Sequence, residues 1–297
     1  MRLIVIYNTR AGKKQNRIRS RIEAFFHKRE VLSDIFDYDN CNWQRIKDIC
    51  ASDTSARFVV AGGDGTLRRV LEFLWKNDLL KHAVAFMPIG SWNIVAYSLR
   101  LPFNIRHVFE KAMVGTPKPL DLGVLNNERV FFIGVALGKI ATMPSLSGRS
   151  LKRRFGIFAF LIRLLPMFIR DYTKENFNVR IIDEANKVEE TVQTHSMFVL
   201  NHLNVSRLQP RRGVLADDGK LDVVTLHNTS YWGLIRALFH FYLWKGNSKM
   251  LRHIQTSSVR CELSGFHYHM SLDGDYYEYP ETALNFKILP GAASFII

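Results

Sequence analysis

The sequence predicts a two-domain protein of the α/β plus β class, in which a doubly wound parallel sheet precedes an antiparallel β-sandwich. Strand-like and helical patterns alternate over residues 1–120, and the segments after Asp121-Leu-Gly123 are mostly strand-like. A chain of 297 residues is long enough for two separate hydrophobic cores. We therefore expect an α/β domain over residues 1–122 and a β-rich domain over residues 123–289.

The elements of the first half follow from two kinds of apolar spacing. Short apolar, β-branched runs predict strands at Leu3–Tyr7, Asp34–Tyr38, Phe58–Ala61 and Val84–Met87. Helical spacing predicts helices over Arg17–Arg29, Trp43–Cys50, Leu67–Asn77 and Arg106–Val114. Strands that are apolar at nearly every position are buried on both faces, as in a parallel sheet covered by helices. Ligands of such sheets bind at the carboxyl ends of the strands.

The second half consists mainly of shorter strand-like runs. They are Arg129–Ala136, Phe177–Ile182, Val188–Thr194, Met197–Asn201, Leu221–Leu226, Ser258–Leu263, His267–Leu272 and Leu284–Leu289. Two aromatic helical segments, residues 155–169 and 231–244, interrupt them. A membrane-spanning helix needs roughly 20 mainly apolar residues. Arg163 and Pro166 break the first segment, and Arg236 and His240 break the second, so neither is predicted to span a bilayer.

The charge balance indicates anionic partners. The chain has 41 Lys and Arg against 27 Asp and Glu, a net charge of +14, which suits nucleic acid, an acidic membrane surface or polyphosphate substrates. No nucleic-acid-binding module is recognisable, so we expect no nucleic acid partner. The basic run Lys152-Arg153-Arg154 precedes an aromatic segment. It is typical either of shallow contact with an anionic bilayer or of a core helix with a charged start. Three cysteines without metal-ligand spacing favour a reduced, cytoplasmic setting.

The most informative motif is Gly62-Gly63-Asp64-Gly65-Thr66, between a predicted strand and a predicted helix. Glycines allow close approach of the backbone to a ligand, and the amides at a helix N-terminus bind phosphate. Asp64 adds a carboxylate, for which a magnesium ion carrying nucleotide oxygens is the natural companion. The spacing fits neither the dinucleotide fingerprint nor the P-loop. An ordinary strand-to-helix turn would need one glycine, so we favour a phosphate site.

Two more polar loops follow predicted strands of the same sheet. They are Asn8-Thr-Arg-Ala-Gly12-Lys13 and Pro88-Ile-Gly90-Ser91-Trp-Asn93. Each alone is explained by turn chemistry, but three such loops at one sheet edge outline a cleft. In the second half, Asp273-Gly274-Asp275 is typical of a hairpin turn and could equally supply a general base. For Asp217-Asp218-Gly219 we favour a turn over a cation-binding loop.

The motifs together, in this order, resemble the diacylglycerol kinase catalytic family, specifically its soluble bacterial lipid kinases. The motifs that carry the resemblance are Gly62-Gly63-Asp64-Gly65-Thr66, Pro88-Ile-Gly90-Ser91-Trp-Asn93, Pro119-Leu-Asp121-Leu-Gly123, Asp218-Gly219-Lys220-Leu221-Asp222 and Asp273-Gly274-Asp275. The resemblance covers nearly the whole chain. It implies an ATP-binding α/β domain and a lipid-substrate β domain, with the tail at about residues 290–297 returning to the first domain.

The resemblance also implies roles for individual residues. ATP binding is implied for Asn8, Thr9, Arg10, Ala11, Gly12, Gly62, Gly63, Asp64, Gly65, Thr66 and Ser91. Asp64 and Asp121 match the family positions that organise water and the magnesium of the nucleotide, and Asp64 is also a catalytic candidate. Either Asp273 or Asp275 matches the position of the general base. Leu215, Asp218 and Lys220 match a structural magnesium loop, and Lys13 and Arg163 match a lipid interface.

This chain departs from the family pattern at several positions. It has Asn8-Thr9 for Asn-Pro, Ser91-Trp92-Asn93-Ile94 for Thr-Gly-Asn-Asp, Asp275 for Glu, and Gly134 for Asn. The leading hypothesis is an ATP- and magnesium-dependent lipid kinase with diacylglycerol as the default acceptor, acting at the inner face of an anionic membrane. The alternatives are a kinase for a soluble acceptor such as NAD and a non-catalytic nucleotide- or membrane-binding protein. Monomer and homodimer both stay open.

Overall fold

The computed structural model describes residues 2–11, 15–29, 31–91, 93–138, 141, 176–203, 216–227, 251–265, 269–278 and 280–297. The chain divides into two compact units. The first unit contains Met1–Leu120 and Gly291–Ile297, and the second contains Asp121–Pro290. In the residues described, no helix has the length and apolar content needed to cross a membrane.

The first unit alternates strands and helices. Its elements are β1 (Leu3–Tyr7), α1 (Gln15–Arg29), β2 (Ser33–Asp37), α2 (Trp43–Ser52), β3 (Arg57–Gly62), α3 (Asp64–Lys76), β4 (Val84–Pro88), α4 (Ile94–Ser98), α5 (Ile105–Val114) and the start of β5 (Pro117–Leu125). The four strands β1 to β4 pair in parallel in the order β2-β1-β3-β4. The predicted α/β class is therefore confirmed for this unit.

Burial on both faces explains the apolar strands. On one face Leu3 and Val5 share a core with α1 and α5, where the rings of Phe26 and Phe109 meet edge to face at 4.8 Å. Ile4 and other alternate positions point to the opposite face and are equally buried. A strand buried on both faces has no polar side, so it reads as a continuous apolar run.

The strand order places a topological switch point between β1 and β3. The chain passes from β1 outward to β2 and then returns to the other side of β1 to form β3. At such a point the loops after the two neighbouring strands diverge and leave a crevice at the carboxyl edge of the sheet. The segments that follow β1 and β3 begin at Asn8 and Gly63.

Two helices of this unit differ from the sequence prediction. α3 begins at Asp64 rather than Leu67, because Asp64-Gly65-Thr66 forms its first turn after the N-cap Gly63. α4 was not predicted at all. Five residues are too short to show a helical period, and its N-cap Asn93 has a left-handed φ of 50° and makes no side-chain cap. The start of α4 is instead capped from elsewhere in the chain.

The second unit consists of antiparallel strands. They are the rest of β5, β6 (Arg129–Phe131), β7 (Gly134–Gly138), β8 (Phe177–Asp183), β9 (Val188–Thr194), β10 (Ser196–Leu200), β11 (Leu221–Leu226), β12 (Leu251–Thr256), β13 (Ser258–Ser264), β14 (His269–Leu272), β15 (Asp275–Glu278) and most of β16 (Ala283–Ile296). One sheet has the order β12-β11-β10-β7-β14-β15, and the other contains β16-β13-β8-β9 with β5 and β6. Side chains from both sheets form one core, as the predicted sandwich requires.

Two strands of this unit differ from the prediction in ways that matter below. The predicted strand Arg129–Ala136 is wrong as a single element, because Phe132 and Ile133 break it into β6 and β7. β16 is much longer than the predicted Leu284–Leu289, and its last residues pair in parallel with β4 through Phe295 and Ile296.

Candidate functional site

The crevice at the switch point is bridged by Asn8 and Thr66. The Asn8 amide N–H donates to the Ala61 carbonyl at 2.9 Å, which continues β1 past its end. The Asn8 Nδ2 donates to the Thr66 Oγ1 at 2.7 Å, and the Asn8 Oδ1 accepts from the Arg10 N–H at 2.9 Å. Asn8 thus fixes the loop after β1 against the first turn of α3.

The Gly62–Thr66 segment presents backbone to the crevice. Gly63 and Gly65 are partly exposed, whereas Asp64 and Thr66 are buried. A Cβ at Gly62 would lie 2.6 Å from the Thr66 Cβ, so the turn closes only around a glycine there. The first amides of a helix have no intrahelical partner and carry the positive end of the helix dipole. The segment therefore offers donors and positive potential suited to a phosphate group.

The loop after β4 packs directly on this segment. The Gly90 N–H donates to the Gly62 carbonyl at 3.1 Å, and a Cβ at Gly90 would lie only 2.4 Å from the Gly63 Cα. The Asn93 side chain holds the loop, since its Oδ1 accepts from the Gly90 N–H at 3.0 Å and its Nδ2 donates to the Gly90 carbonyl at 2.9 Å. Two backbones meet here without an intervening side chain.

Asp64 has a structural task that the sequence did not indicate. Its Oδ2 accepts from the Ile94 N–H at 2.9 Å, and its Oδ1 accepts from the Val95 N–H at 3.0 Å. The carboxylate is 7% exposed and supplies the cap that α4 lacks locally. Asp64 thus joins the N-termini of α3 and α4, and its negative charge suits the positive end of both helix dipoles.

The loop after β2 was missed as part of this edge, although it follows a strand of the same sheet. The Asp37 Oδ1 accepts from the Asp39 N–H at 3.1 Å, and Asp39 forms an ion pair with Arg10 at 3.0 Å. The Tyr38 hydroxyl lies 3.5 Å from an Arg69 Nη1. Burial, with a smaller contribution from the Asp37 carboxylate, raises the pKa of Tyr7. The strand-end rule that selected the other three loops would have found this one.

Asp121 lies in the second unit, on β5. It is 2% exposed, and its Oδ2 accepts from the Gly219 N–H at 2.7 Å. Its own N–H donates to the Ala216 carbonyl at 2.6 Å. The Asp121 carboxylate therefore holds the loop that contains Asp218 and Lys220, where the Asp218 Oδ1 accepts from the Lys220 N–H at 3.1 Å.

Asp273 binds the backbone at the break between β6 and β7. Its Oδ2 accepts from the Phe132 N–H at 2.8 Å, and its Oδ1 accepts from the N–H groups of Ile133 at 2.8 Å and Gly134 at 2.9 Å. The Asp273 side chain is 6% exposed and its φ is +46°. Three amide donors to a single carboxylate form strong, charge-assisted hydrogen bonds.

Asp275 differs from Asp273 although only Gly274 separates them. Asp275 is the first residue of β15 and is partly exposed. Next to it, the Tyr276 hydroxyl lies 2.7 Å from the His269 Nδ1, and burial with the nearby Glu278 carboxylate raises the pKa of Tyr276. Of the two carboxylates in the motif, Asp275 is the more accessible to a ligand.

Asn201 is a site residue that the sequence reasoning did not single out. Its side chain is fully buried, and its Nδ2 donates to the carbonyls of Asp121 at 3.0 Å and Phe132 at 2.8 Å. The Phe132 amide in turn donates to Asp273. Asn201 therefore connects the strand that carries Asp121 to the backbone that holds Asp273. An asparagine directly after a strand of a motif-bearing domain was the only available signal.

Gly134 has a packing reason. A Cβ at Gly134 would lie 2.6 Å from the Val199 carbonyl oxygen and 3.1 Å from the Leu200 Cα. β10 therefore runs too close to β7 at this point for any side chain. The family pattern has asparagine at this position, and in this chain the close pairing of β7 with β10 leaves no room for it.

The remaining predicted site residues are placed as follows. Ser91 is exposed in the loop after β4, and Thr9, Arg10 and Ala11 lie in the turn after β1. Gly12, Lys13, Arg163 and Leu215 lie outside the described residues. Within the described ranges, no group of three or more His, Cys, Asp or Glu side chains is arranged to hold a metal ion.

Comparisons with known proteins agree with the motif order. Residues 2–125 match the family model of the diacylglycerol kinase catalytic domain. The chain is 23% identical over 299 residues to a probable lipid kinase YegS-like of Shewanella frigidimarina, covering 96% of this chain and 91% of the relative. It is 24% identical over 240 residues to a diacylglycerol kinase of Staphylococcus carnosus, covering 77% of this chain and 73% of the relative.

The fold is also similar to a solved structure. A crystal structure of a diacylglycerol kinase from Bacillus anthracis aligns with a TM-score of 0.69 at 19% identity, over 99% of this chain and 96% of that chain. The likeness covers both units and concerns the fold alone.

Proposed function

We propose that this chain is a member of the diacylglycerol kinase catalytic family, whose model its residues 2–125 match, and that it is an ATP- and magnesium-dependent kinase that phosphorylates a lipid hydroxyl, with diacylglycerol as the default acceptor. One observation carries the nucleotide part of the proposal. The Asn8–Thr66 hydrogen bond spans the switch point of a parallel sheet, directly beside the first turn of α3. Dinucleotide and nucleotide ligands of such sheets bind at this position.

The nucleotide phosphates are proposed to lie over Gly62–Thr66. The backbone amides of this segment are the proposed donors, and the segment is supported by the loop after β4, because the Gly90 N–H donates to the Gly62 carbonyl and the Asn93 side chain holds Gly90. Phosphoryl transfer requires little covalent chemistry from the protein, so most of the rate enhancement comes from positioning and from charge neutralisation. A segment fixed by backbone contacts provides the positioning.

Magnesium is proposed to be held through Asp64 and Asp121. Both residues offer carboxylate oxygens, the hard ligands that magnesium prefers. Backbone amides hold both carboxylates in place, since the Asp64 oxygens accept from the Ile94 and Val95 amides and one Asp121 oxygen accepts from the Gly219 amide. When bound, the ion would neutralise charge on the phosphate oxygens. Leu215, Asp218 and Lys220 are proposed as a separate structural magnesium loop.

Asp275 is the proposed general base, and Asp273 is the proposed positioning residue. A base must reach the acceptor hydroxyl and must be able to take its proton. The partial exposure of Asp275 favours it for that role. The three amides on Asp273 instead favour a positioning role, in which its carboxylate fixes the hairpin that bears Asp275.

The test is phosphate transfer from labelled ATP with magnesium, offered lipid vesicles from a broad panel and, separately, NAD. We expect transfer to a lipid and none to NAD. Asp275→Asn should lower kcat by about 10²- to 10⁴-fold, because a positioned general base contributes about that factor. Glu278→Gln, which changes an exposed carboxylate of the same strand, is the matched control and should leave kcat unchanged.

Three outcomes would contradict the proposal. Transfer to NAD would indicate a soluble acceptor. ATP binding without transfer to any member of the lipid panel would indicate a non-catalytic protein. Full activity of Asp275→Asn would remove the assigned base. The lipid contacts of Lys13 and Arg163, and the location at the inner face of an anionic membrane, are part of the same proposal and are tested by vesicle binding.

A further inference from the structure

An exposed aromatic pair lies on the first unit. Tyr97 of α4 is 63% exposed and Phe103 in the following loop is 48% exposed. Their ring centroids are 5.0 Å apart. Isolated exposed apolar side chains are ordinary, but two large rings that pack on each other in solvent form a surface that another molecule can cover. Aromatic rings of this kind are favoured where a polar and an apolar medium meet.

Arg100 stands between the two rings in sequence and has an unfavourable backbone conformation. Its φ is +56°, in the left-handed region. The Arg100 N–H donates to the Tyr97 carbonyl at 3.2 Å, and the Leu101 N–H donates to the Ala96 carbonyl at 2.8 Å. These two bonds form a Schellman motif, whose left-handed position is ordinarily glycine. An arginine is less favourable than glycine at that position.

The chain segment that carries the pair has an excess of basic residues. Arg100 is exposed, and its side chain has no hydrogen bond or ion pair with any residue that the structure describes. Residues 94–118 contain four cationic side chains and a single acid, Glu110, which is already paired with Arg29 and Arg106. The four are Arg100, Arg106, Lys111 and Lys118. The exposed Arg100 beside two exposed rings, on a chain with a net charge of +14, is complementary to an anionic bilayer.

The pair is also tied to the nucleotide loop. α4 begins at Ile94, and the amides of Ile94 and Val95 are held by the Asp64 carboxylate. Tyr97 therefore lies one turn along a helix whose start is fixed to the Gly62–Thr66 segment. A surface contact at Tyr97 would hold the nucleotide loop at a defined distance from that surface.

We propose that Tyr97, Arg100 and Phe103 form a contact surface for an anionic lipid bilayer, separate from the contacts expected of Lys13 and Arg163. The inference rests on the proposed function, since a lipid kinase must meet its substrate at a membrane. The rings enter the interfacial region and the guanidinium binds lipid phosphate. Arg100 should therefore strengthen binding only to vesicles that contain anionic lipid. The two rings should strengthen binding to anionic and neutral vesicles alike.

The first experiment separates binding from stability. The intact chain is sedimented with phosphatidylcholine vesicles, with and without phosphatidylglycerol. Arg100→Gly should weaken partition to the anionic vesicles about fivefold, the factor expected for one cation at such a surface. The same variant should raise Tm, because glycine relieves the left-handed position. Lys187→Gly is the matched control: Lys187 is exposed, cationic and at a φ of +54°, so Tm should rise with partition unchanged.

The second experiment concerns the rings. Tyr97→Ser with Phe103→Ser should weaken partition to both kinds of vesicle. The control is Leu32→Ser with Val114→Ser, which removes two apolar side chains that are 62% and 84% exposed. Its partition to both kinds of vesicle should equal that of the wild type. Equal partition of the ring variant and the wild type would overturn the proposal. A changed oligomeric state of the ring variant in light scattering would also overturn it, in favour of a second copy as the occupant.

Activity is measured separately with a water-soluble, short-chain diacylglycerol. The ring variant should keep its KM for ATP in that assay, and a raised KM would overturn the proposal in favour of stacking on the nucleotide base. If the wild-type chain phosphorylates no lipid but partitions as described, the proposed function fails and the bilayer surface stands. If it phosphorylates lipid and Arg100→Gly partitions like the wild type, the bilayer surface fails and the function stands.

Discussion

Two buried aspartates, one in each unit, use the same chemistry in different settings. Asp64 is 7% exposed and Asp273 is 6% exposed, and both carboxylates accept hydrogen bonds from the backbone of a separate segment. Asp64 holds the start of a helix, where the dipole adds to the attraction. Asp273 holds three amides at a strand break, where no dipole helps. In both units, a motif aspartate that is surrounded by backbone amides holds a distant segment of the chain in place.

The surroundings of the two aspartates differ. The Asp64 loop is closed by glycines, since Gly62, Gly63 and Gly90 allow backbones to touch. The Asp273 hairpin is connected by a side chain, because Asn201 bridges the carbonyls of Asp121 and Phe132. The first arrangement leaves Gly63 and Gly65 partly exposed. The second leaves Asp275, rather than Asp273, facing outward.

The largest effect on stability is expected for Asp273→Asn. The amide replaces one carboxylate oxygen by an NH₂ group, so at least one of three buried N–H donors loses its acceptor and the others lose a charged partner. We expect a loss of about 3 kcal/mol in the free energy of unfolding, from the cost of buried unsatisfied donors. Asparagine tolerates the φ of +46° as well as aspartate does, so backbone strain is unchanged.

Asp275→Asn is the matched control for that prediction. It makes the same substitution two residues later on a partly exposed side chain. Urea unfolding should show little change for Asp275→Asn, while kinase assays show the loss of turnover. The different roles assigned to Asp273 and Asp275 are contradicted if Asp273→Asn is as stable as the wild type, or if Asp275→Asn is the less stable of the two variants.

An intermediate effect is expected for Gly90→Ala. The added Cβ would lie 2.4 Å from the Gly63 Cα, so the loops after β3 and β4 must separate. We expect a loss of about 2 kcal/mol, typical of overpacking. Gly63→Ala tests the same contact from the other side, where the Cβ would meet the Gly90 Cα at an ordinary 3.4 Å. Its loss should stay below about 1 kcal/mol, the usual effect of alanine at an N-cap. Equal losses in thermal unfolding would contradict this geometry.

The sequence predicted the parallel sheet well, whereas the roles of the site residues stay predictions. β1 has the predicted bounds, and the strands from β2 to β4 differ by one residue at either end, because runs such as Leu3–Tyr7 are apolar throughout. The Gly62–Thr66 motif does mark the junction of strand and helix, although Gly62 is the last residue of β3 and Asp64 the first residue of α3. These features depend on local pattern, which is what a sequence displays directly.

The features that the sequence did not reveal depend on contacts between distant segments. α4 is stabilised by a carboxylate 30 residues earlier in the chain, and the strand break at Phe132 exists because Asp273 binds its amide from 141 residues away. Neither partner leaves a periodic trace at the position it stabilises. Motif aspartates suggested magnesium and base chemistry, whereas the amides that surround them are visible only in three dimensions.

The smallest effect is expected for Asn8→Ala, which tests whether the nucleotide edge depends on side chains at all. The substitution removes the 2.7 Å bond to the Thr66 Oγ1 and the acceptor for the Arg10 amide. We expect a loss of about 1 kcal/mol in stability, the typical net value of such bonds, and a raised KM for ATP. Asn77→Ala is the control, because Asn77 binds the Phe73 carbonyl at the opposite end of α3. It should cost similar stability and leave the KM for ATP unchanged. An unchanged KM in both variants would mean that the glycine contacts alone hold the crevice open for the nucleotide.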